Sequence, residues 1–180
     1  MNIALFAAVV AALGLLPPIP VPLLPVPVTA QTLGVMLAGS ILGARRGFLA
    51  VLVFVALVAI GLPVLSGGRG GLGVFAGPSA GFILGFAPGA FVVGWLTERM
   101  WAAYDWKRAL FGNLVGGVGV VYLLGVPWLA ASAGLSLWTA MTGAAAFLPG
   151  DIVKAMVAAT VAVAIKHSFP VIEEPDGARH

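Results

Sequence analysis

Asp151 is the only acid within the apolar body of this chain. Lys154, three residues on, is one of its few bases: Phe147-Leu148-Pro149-Gly150-Asp151-Ile152-Val153-Lys154. Residues three apart on a helix share a face, so this spacing sets a carboxylate and an ammonium side by side. An acid in a first helical turn is favoured by the positive end of the helix dipole, and Pro suits the first helical position. The dipole does not favour a lysine there, so Lys154 needs a partner, either Asp151 or a ligand. Catalysis is poorly supplied. His167 and His180 are the only histidines and both lie in the tail, so no membrane-embedded base activates a nucleophile, and Asp151 has no second carboxylate to work with. A binding pocket fits better: Asp151 accepts from N–H donors, Lys154 donates to a carbonyl or carboxylate, and apolar walls hold the rest of the molecule. A neutral cyclic urea carries both complementary groups.

The elements that must position this pair are those of a membrane protein. The 180 residues are 61% hydrophobic and 8% charged, against about a quarter charged in soluble domains, and mean hydropathy is +1.12. Nine Lys and Arg against six Asp and Glu are too few and too dispersed for a nucleic-acid surface. The absence of cysteine excludes disulfides, Fe–S clusters and thiol chemistry, and neither a metal nor a cofactor is expected.

Six apolar segments are predicted, near residues 2–16, 31–43, 47–62, 79–97, 109–131 and 149–165, making one all-α integral-membrane bundle over residues 1–167. Residues 168–180 read as a polar, disordered tail. In the first segment Ala4, Ala8 and Ala12 recur every four residues beside Ala7 and Ala11, a smooth side suited either to internal packing or to docking another protein. Residues 17–30 hold six prolines and read as an extended cap. Gln31 and Thr32 open the second segment, with Gln31 able to hydrogen-bond a ligand or simply to face water, and Arg45-Arg46 are expected to end it.

Residues 66–81 contain seven glycines but no Gly-Lys-Ser/Thr, and Gly71, Gly73 and Gly77 miss the dinucleotide spacing by one residue. Glycine there lets backbone lie close to a ligand or to other helices. Arg69 within this run is read either as a solvated cation or as the partner of a substrate carboxylate. Gly81, Gly85 and Gly89 form a close-packing face on the fourth segment. Residues 132–148 carry no charge and read as a short helix or a re-entrant turn.

Six spans place both termini on one side. The loops and tail of that side hold seven of the nine cations, which makes it cytoplasmic by the positive-inside rule. The Pro-rich stretch, the Gly-rich stretch and the Pro-Gly-Asp turn then meet at the outer side. From Asp151 to Lys166 a helix rises about 22 Å, less than the roughly 30 Å hydrocarbon core. The pair is therefore expected in a recess open to the outside.

Three runs in order, PVPVTAQTLGVMLAGSILGARRG, GLPVLSGGRGGLGVFAGPSAGFILGF and FLPGDIVKA, resemble the BioY family, the biotin-specific S components of energy-coupling factor (ECF) transporters. The resemblance covers nearly the whole chain before the tail. It implies a six-helix S-component fold that takes up biotin from outside, with a membrane T component and two cytoplasmic ATPases as partners. It implies that Asp151 and Lys154 hold the ureido ring. The family's Gly-Pro-Thr/Ser turn falls on Gly77, Pro78 and Ser79, its Gln-Thr pair falls on Gln31 and Thr32, and Phe82 joins the substrate-binding residues. Ser79-Ala80-Gly81 stands where Thr-Gly-Gly is commoner, and Phe82–Phe86 holds no basic residue. Arg69 is therefore the expected anchor for the biotin carboxylate. The alanine stripe of Ala4, Ala8 and Ala12 on the first segment resembles the surface on which S components dock the T component. The alternatives are an S component for another vitamin, such as thiamine or riboflavin, a transporter working alone, or a small intramembrane enzyme.

Overall fold

The computed structural model describes residues 2–21, 24–168 and 172, and among these the regular elements are helical, with only isolated β-bridges besides. Of the tail expected to be disordered, residues 168–180, only Ser168, which ends the last helix, and Ile172, packed against a hydrophobic cluster, are among the described residues. Seven helices form the body: α1 Asn2–Leu13, α2 Gln31–Leu42, α3 Ala44–Ala59, α4 Ala80–Arg99, α5 Trp106–Ala133, α6 Leu137–Ala144 and α7 Leu148–Ser168. Six of them match the predicted segments, and α6 realises the short-helix reading of residues 132–148. It runs through a 3-10 turn into α7, so that Leu137–Ser168 is one apolar helical stretch. Ala80–Arg99, Trp106–Ala133 and Leu137–Ser168 are long and apolar enough to cross a membrane. The 12-residue helices α1 and α2 each rise only about 18 Å.

The link between α2 and α3 differs from expectation. Arg45 and Arg46 do not end a segment; they lie in the first turn of α3, and the break is Gly43 alone. Its φ of +82° is a conformation that L side chains rarely adopt, and a Cβ there would strike the Glu98 carboxylate. That carboxylate, from the last turn of α4, accepts the Ala44 N–H at 2.8 Å. It thereby satisfies an orphan donor of α3 and sets negative charge at the dipole's positive end, where two arginines follow in sequence. Glu98→Ala is expected to lower stability by about 0.5–2 kcal/mol, the usual range for a lost cap. Thermal melting in detergent measures it, and an unchanged midpoint would dismiss the cap.

Helix α4 is the central post. Its glycines at positions 81, 85 and 89 all face α5, where an added Cβ would run into Trp128 and Leu124, Val121, and Gly116 with Val121 respectively. The close-packing face read from the sequence is thus the α4–α5 contact. Gly39 of α2 meets Ala90 and Val93 on another side of α4. Within α5, residues Asn113–Val120 adopt π-helical pairing where a regular helix was expected. The side chain of Asn113, fully buried, accepts from Ser40 Oγ at 2.8 Å and donates to the Ala155 carbonyl at 3.4 Å, tying α2, α5 and α7 together at that bulge.

At the far end of α7, Lys166 donates to the Trp101 carbonyl at 2.7 Å and lies 5.1 Å from the centre of that residue's ring. Asp105 caps α5 through the Arg108 N–H, and this bond holds its carboxyl below the ordinary range. On α1, Ala7 and Val10 are buried while Ala4, Ala8 and Ala12 are exposed. Internal packing therefore does not explain the three exposed alanines.

Candidate functional site

Two irregular segments close over one end of the bundle. The Pro-rich stretch doubles back, pairing Ile19 with Val28 through two backbone bonds of 2.9 Å, and brings Val26, Pro27, Val28 and Thr29 over the helix ends. The Gly-rich stretch turns between Leu65 and Arg69, with Gly67 and Gly68 at φ +80° and +68°, which suits glycine and few other residues. Beneath these segments lies a cavity of about 580 Å³ including its open mouth. That falls within the roughly 300–1,000 Å³ typical of small-molecule sites. Its helical walls come from the first turn of α2, the first two turns of α4 and α7, and the middle of α5. The three stretches expected to cluster do so.

The floor is the predicted pair. Lys154 Nζ lies 2.8 Å from Asp151 Oδ1, and Asp151 is only 4% exposed. Asp151 Oδ1 also accepts from Thr32 Oγ1 at 3.1 Å, and Oδ2 accepts from the Tyr122 hydroxyl at 2.5 Å. Lys154 donates as well to the Thr29 carbonyl at 2.6 Å and to Thr32 Oγ1 at 3.1 Å. An ammonium has three donors. The residues expected to face a ligand carbonyl and a ligand N–H are therefore unequal. Lys154 has protein acceptors for all its donors and is the ion-pair partner of the buried Asp151. Asp151 retains acceptor capacity on Oδ2.

Above the pair stand three aromatic rings. Phe82 lies edge-on to Tyr122 at 5.9 Å and to Phe147 at 6.1 Å, and Tyr122 to Phe147 at 6.5 Å. Phe82 holds its place because α5 presents Gly125 to it; a Cβ at Gly125 would overlap the Phe82 ring. At the rim, the exposed Arg69 donates through Nη1 to Ser79 Oγ at 3.4 Å and through Nε to the Ser66 carbonyl at 3.3 Å. Both bonds are long for N–H···O, so the guanidinium is loosely held.

Of the residues singled out by sequence, Asp151, Lys154, Gln31, Ser79, Phe82 and Arg69 all line the cavity. Gly77 is not among the lining residues; its carbonyl accepts the Trp128 indole N–H at 3.0 Å. Gln31 lines the cavity yet spends its amide on the protein. Its Nε2 donates to the Val64 carbonyl at 3.1 Å and the Val10 carbonyl at 3.4 Å, and its Oε1 accepts the Ser66 N–H at 3.2 Å. The amide thus ties α1, α2 and the Gly-rich turn into one junction. Sequence reasoning missed Tyr122, Phe147 and the lining contributed by Val26–Thr29. A signal existed for Tyr122: a phenol in the middle of an uncharged span must find a partner for its O–H.

With this geometry in view, comparison with known proteins is specific. The BioY family model matches residues 1–171. The biotin transporter BioY of Rhizobium etli is 51% identical, covering 94% of this chain and 93% of that protein. The biotin transporter BioY of Rhodobacter capsulatus is 50% identical, with 93% of each chain covered. A crystal structure of the S-component for biotin from an ECF-type ABC transporter superposes with a TM-score of 0.88 at 34% identity, covering 92% of this chain and 88% of the other. Agreement in sequence over nearly the full length, and in fold with a solved S component, leads to one conclusion: the chain belongs to the BioY family.

Proposed function

We propose that this chain binds biotin in the cavity above Asp151 and serves as the substrate-specificity component of an ECF transporter. One observation carries the reading: a buried, charge-paired carboxylate with free acceptor capacity, at the base of an aromatic-walled cavity with a loosely held guanidinium at its rim. Biotin carries complementary groups in the same order. A ureido N–H reaches Asp151, the fused rings lie among Phe82, Tyr122 and Phe147, and the carboxylate tail reaches Arg69. The intramembrane-enzyme reading falls, because the family is one of transporter components.

In this reading the helices cross the cytoplasmic membrane as a multi-pass bundle with both termini inside, following the distribution of cations. The chain holds no nucleotide-binding motif, and in this reading a T component and two cytoplasmic ATPases supply the energy for uptake. The exposed alanines at positions 4, 8 and 12 of α1 suit close approach of such a membrane partner.

Equilibrium binding of labelled biotin to the purified protein tests the assignment. Saturable binding is expected, with no competition from thiamine or riboflavin. Asp151→Asn should weaken it by roughly tenfold to a hundredfold, the worth of a hydrogen bond to a charged group. A folded sample with no saturable uptake of label would end the biotin reading, and displacement by another vitamin would redirect it.

A further inference from the structure

We infer that Tyr122 is a positioning residue that decides which N–H of the ligand's head the site recognises; this rests on the biotin reading above. A carboxylate offers about four acceptor directions, two on each oxygen. On Asp151, Oδ1 is filled by Thr32 at 3.1 Å and Lys154 at 2.8 Å. Tyr122 takes one direction on Oδ2 at 2.5 Å. A single direction therefore remains on the whole carboxylate, and the protein has selected which one.

The phenol is well placed for this. Its ring is fixed edge-on between Phe82 and Phe147, so the hydroxyl cannot swing away without opening the aromatic box. Lys154, meanwhile, has its three donors on Thr29, Thr32 and Asp151, and Thr32 Oγ1 gives its proton to Asp151. Asp151, Lys154, Thr32 and Tyr122 thus leave one acceptor direction to the cavity and no unspent donor among them. The floor reads an N–H of the ligand rather than a carbonyl. Because only one acceptor direction is open on the carboxylate, it distinguishes the two ring nitrogens of a cyclic urea, which point away from each other.

The test uses biotin and three analogues on the purified full chain: biotin methylated on either ureido nitrogen, and biotin with its ureido oxygen replaced by sulfur. In the wild type, the two methyl isomers are expected to differ in Kd by roughly tenfold or more, the loss of a charge-assisted hydrogen bond, while sulfur changes Kd by less than about threefold. Tyr122→Phe keeps the ring and removes the hydroxyl. In that variant biotin binds more weakly and the isomer ratio falls to within about threefold, because Oδ2 now has two open directions. Equal weakening of all four ligands with the ratio preserved would reduce Tyr122 to a packing role and overturn the proposal. Equal Kd values for the two isomers in the wild type would overturn it without any variant, which keeps it testable should Tyr122→Phe fail to fold. Absence of biotin binding by the folded wild type would remove the underlying reading, an outcome separate from wild-type binding without isomer preference.

Discussion

Lys154→Met is expected to cost about 3–5 kcal/mol of stability and to abolish biotin binding, because it strands a carboxylate in a buried site with only two hydroxyl donors. The side chain of Asp151 is 5% exposed, so water at its one open acceptor direction replaces little of the lost ammonium. Asp151→Asn in the same background removes the stranded charge. The double variant should therefore melt well above the Lys154→Met single variant, yet bind biotin at least as weakly as Asp151→Asn alone, since no charged acceptor faces the ligand. Melting curves in detergent and labelled-biotin binding on the four proteins of this cycle separate the two effects. If Lys154→Met melted with the wild type, the ion pair would contribute nothing to the fold and the role assigned to Lys154 would be lost.

The second large effect lies far from the cavity. Gly94 of α4 faces the α2–α3 corner so closely that a Cβ would meet the carbonyl carbon and oxygen of Gly43 and the amide nitrogen of Ala44. These are backbone atoms of the peptide joining Gly43, at φ +82°, to Ala44, so no rotamer change relieves the overlap. Separation of α4 from this corner would also draw Glu98 off the Ala44 N–H. Gly94→Val should thus exceed the usual 1–3 kcal/mol or so of overpacking and leave little folded protein on size-exclusion chromatography. Gly73→Ala is the matching control, since nothing lies within 4 Å of a Cβ there, and it should behave as the wild type. A monodisperse, normally melting Gly94→Val protein would show that the corner is not held as described.

Asp151 and Lys154 were legible because charge in an apolar segment has few explanations, and helical spacing then fixes their proximity. The glycines at 81, 85 and 89 were legible for a similar reason: a periodic lack of side chain implies a close neighbour. Gln31 was legible as a polar residue worth notice, but not as a junction, because its partners are the backbone of Val10, Val64 and Ser66, which carry no side-chain signature. Arg45 and Arg46 misled because charge was taken as the end of a segment. The break is set instead by the backbone conformation of Gly43 and by a carboxylate more than fifty residues away, Glu98. Tyr122 and the lining at Val26–Thr29 escaped notice because each becomes part of the site only when distant segments meet.

The Gln31 junction has a thermodynamic consequence. Its amide bonds the last turn of α1 and both sides of the start of the Gly-rich turn, while Gly14 leaves no room for a Cβ beside the Val64 carbonyl and the Gln31 amide nitrogen. Opening any one of these segments breaks bonds to the others, leaving buried backbone groups unpaired. The Gly-rich part of the cavity roof and the C-terminal end of α1 are therefore expected to open as one cooperative unit, exchanging their amide hydrogens together rather than fraying in turn. Whatever ligand steadies that roof steadies, by the same free energy, the end of the helix that carries the exposed alanines.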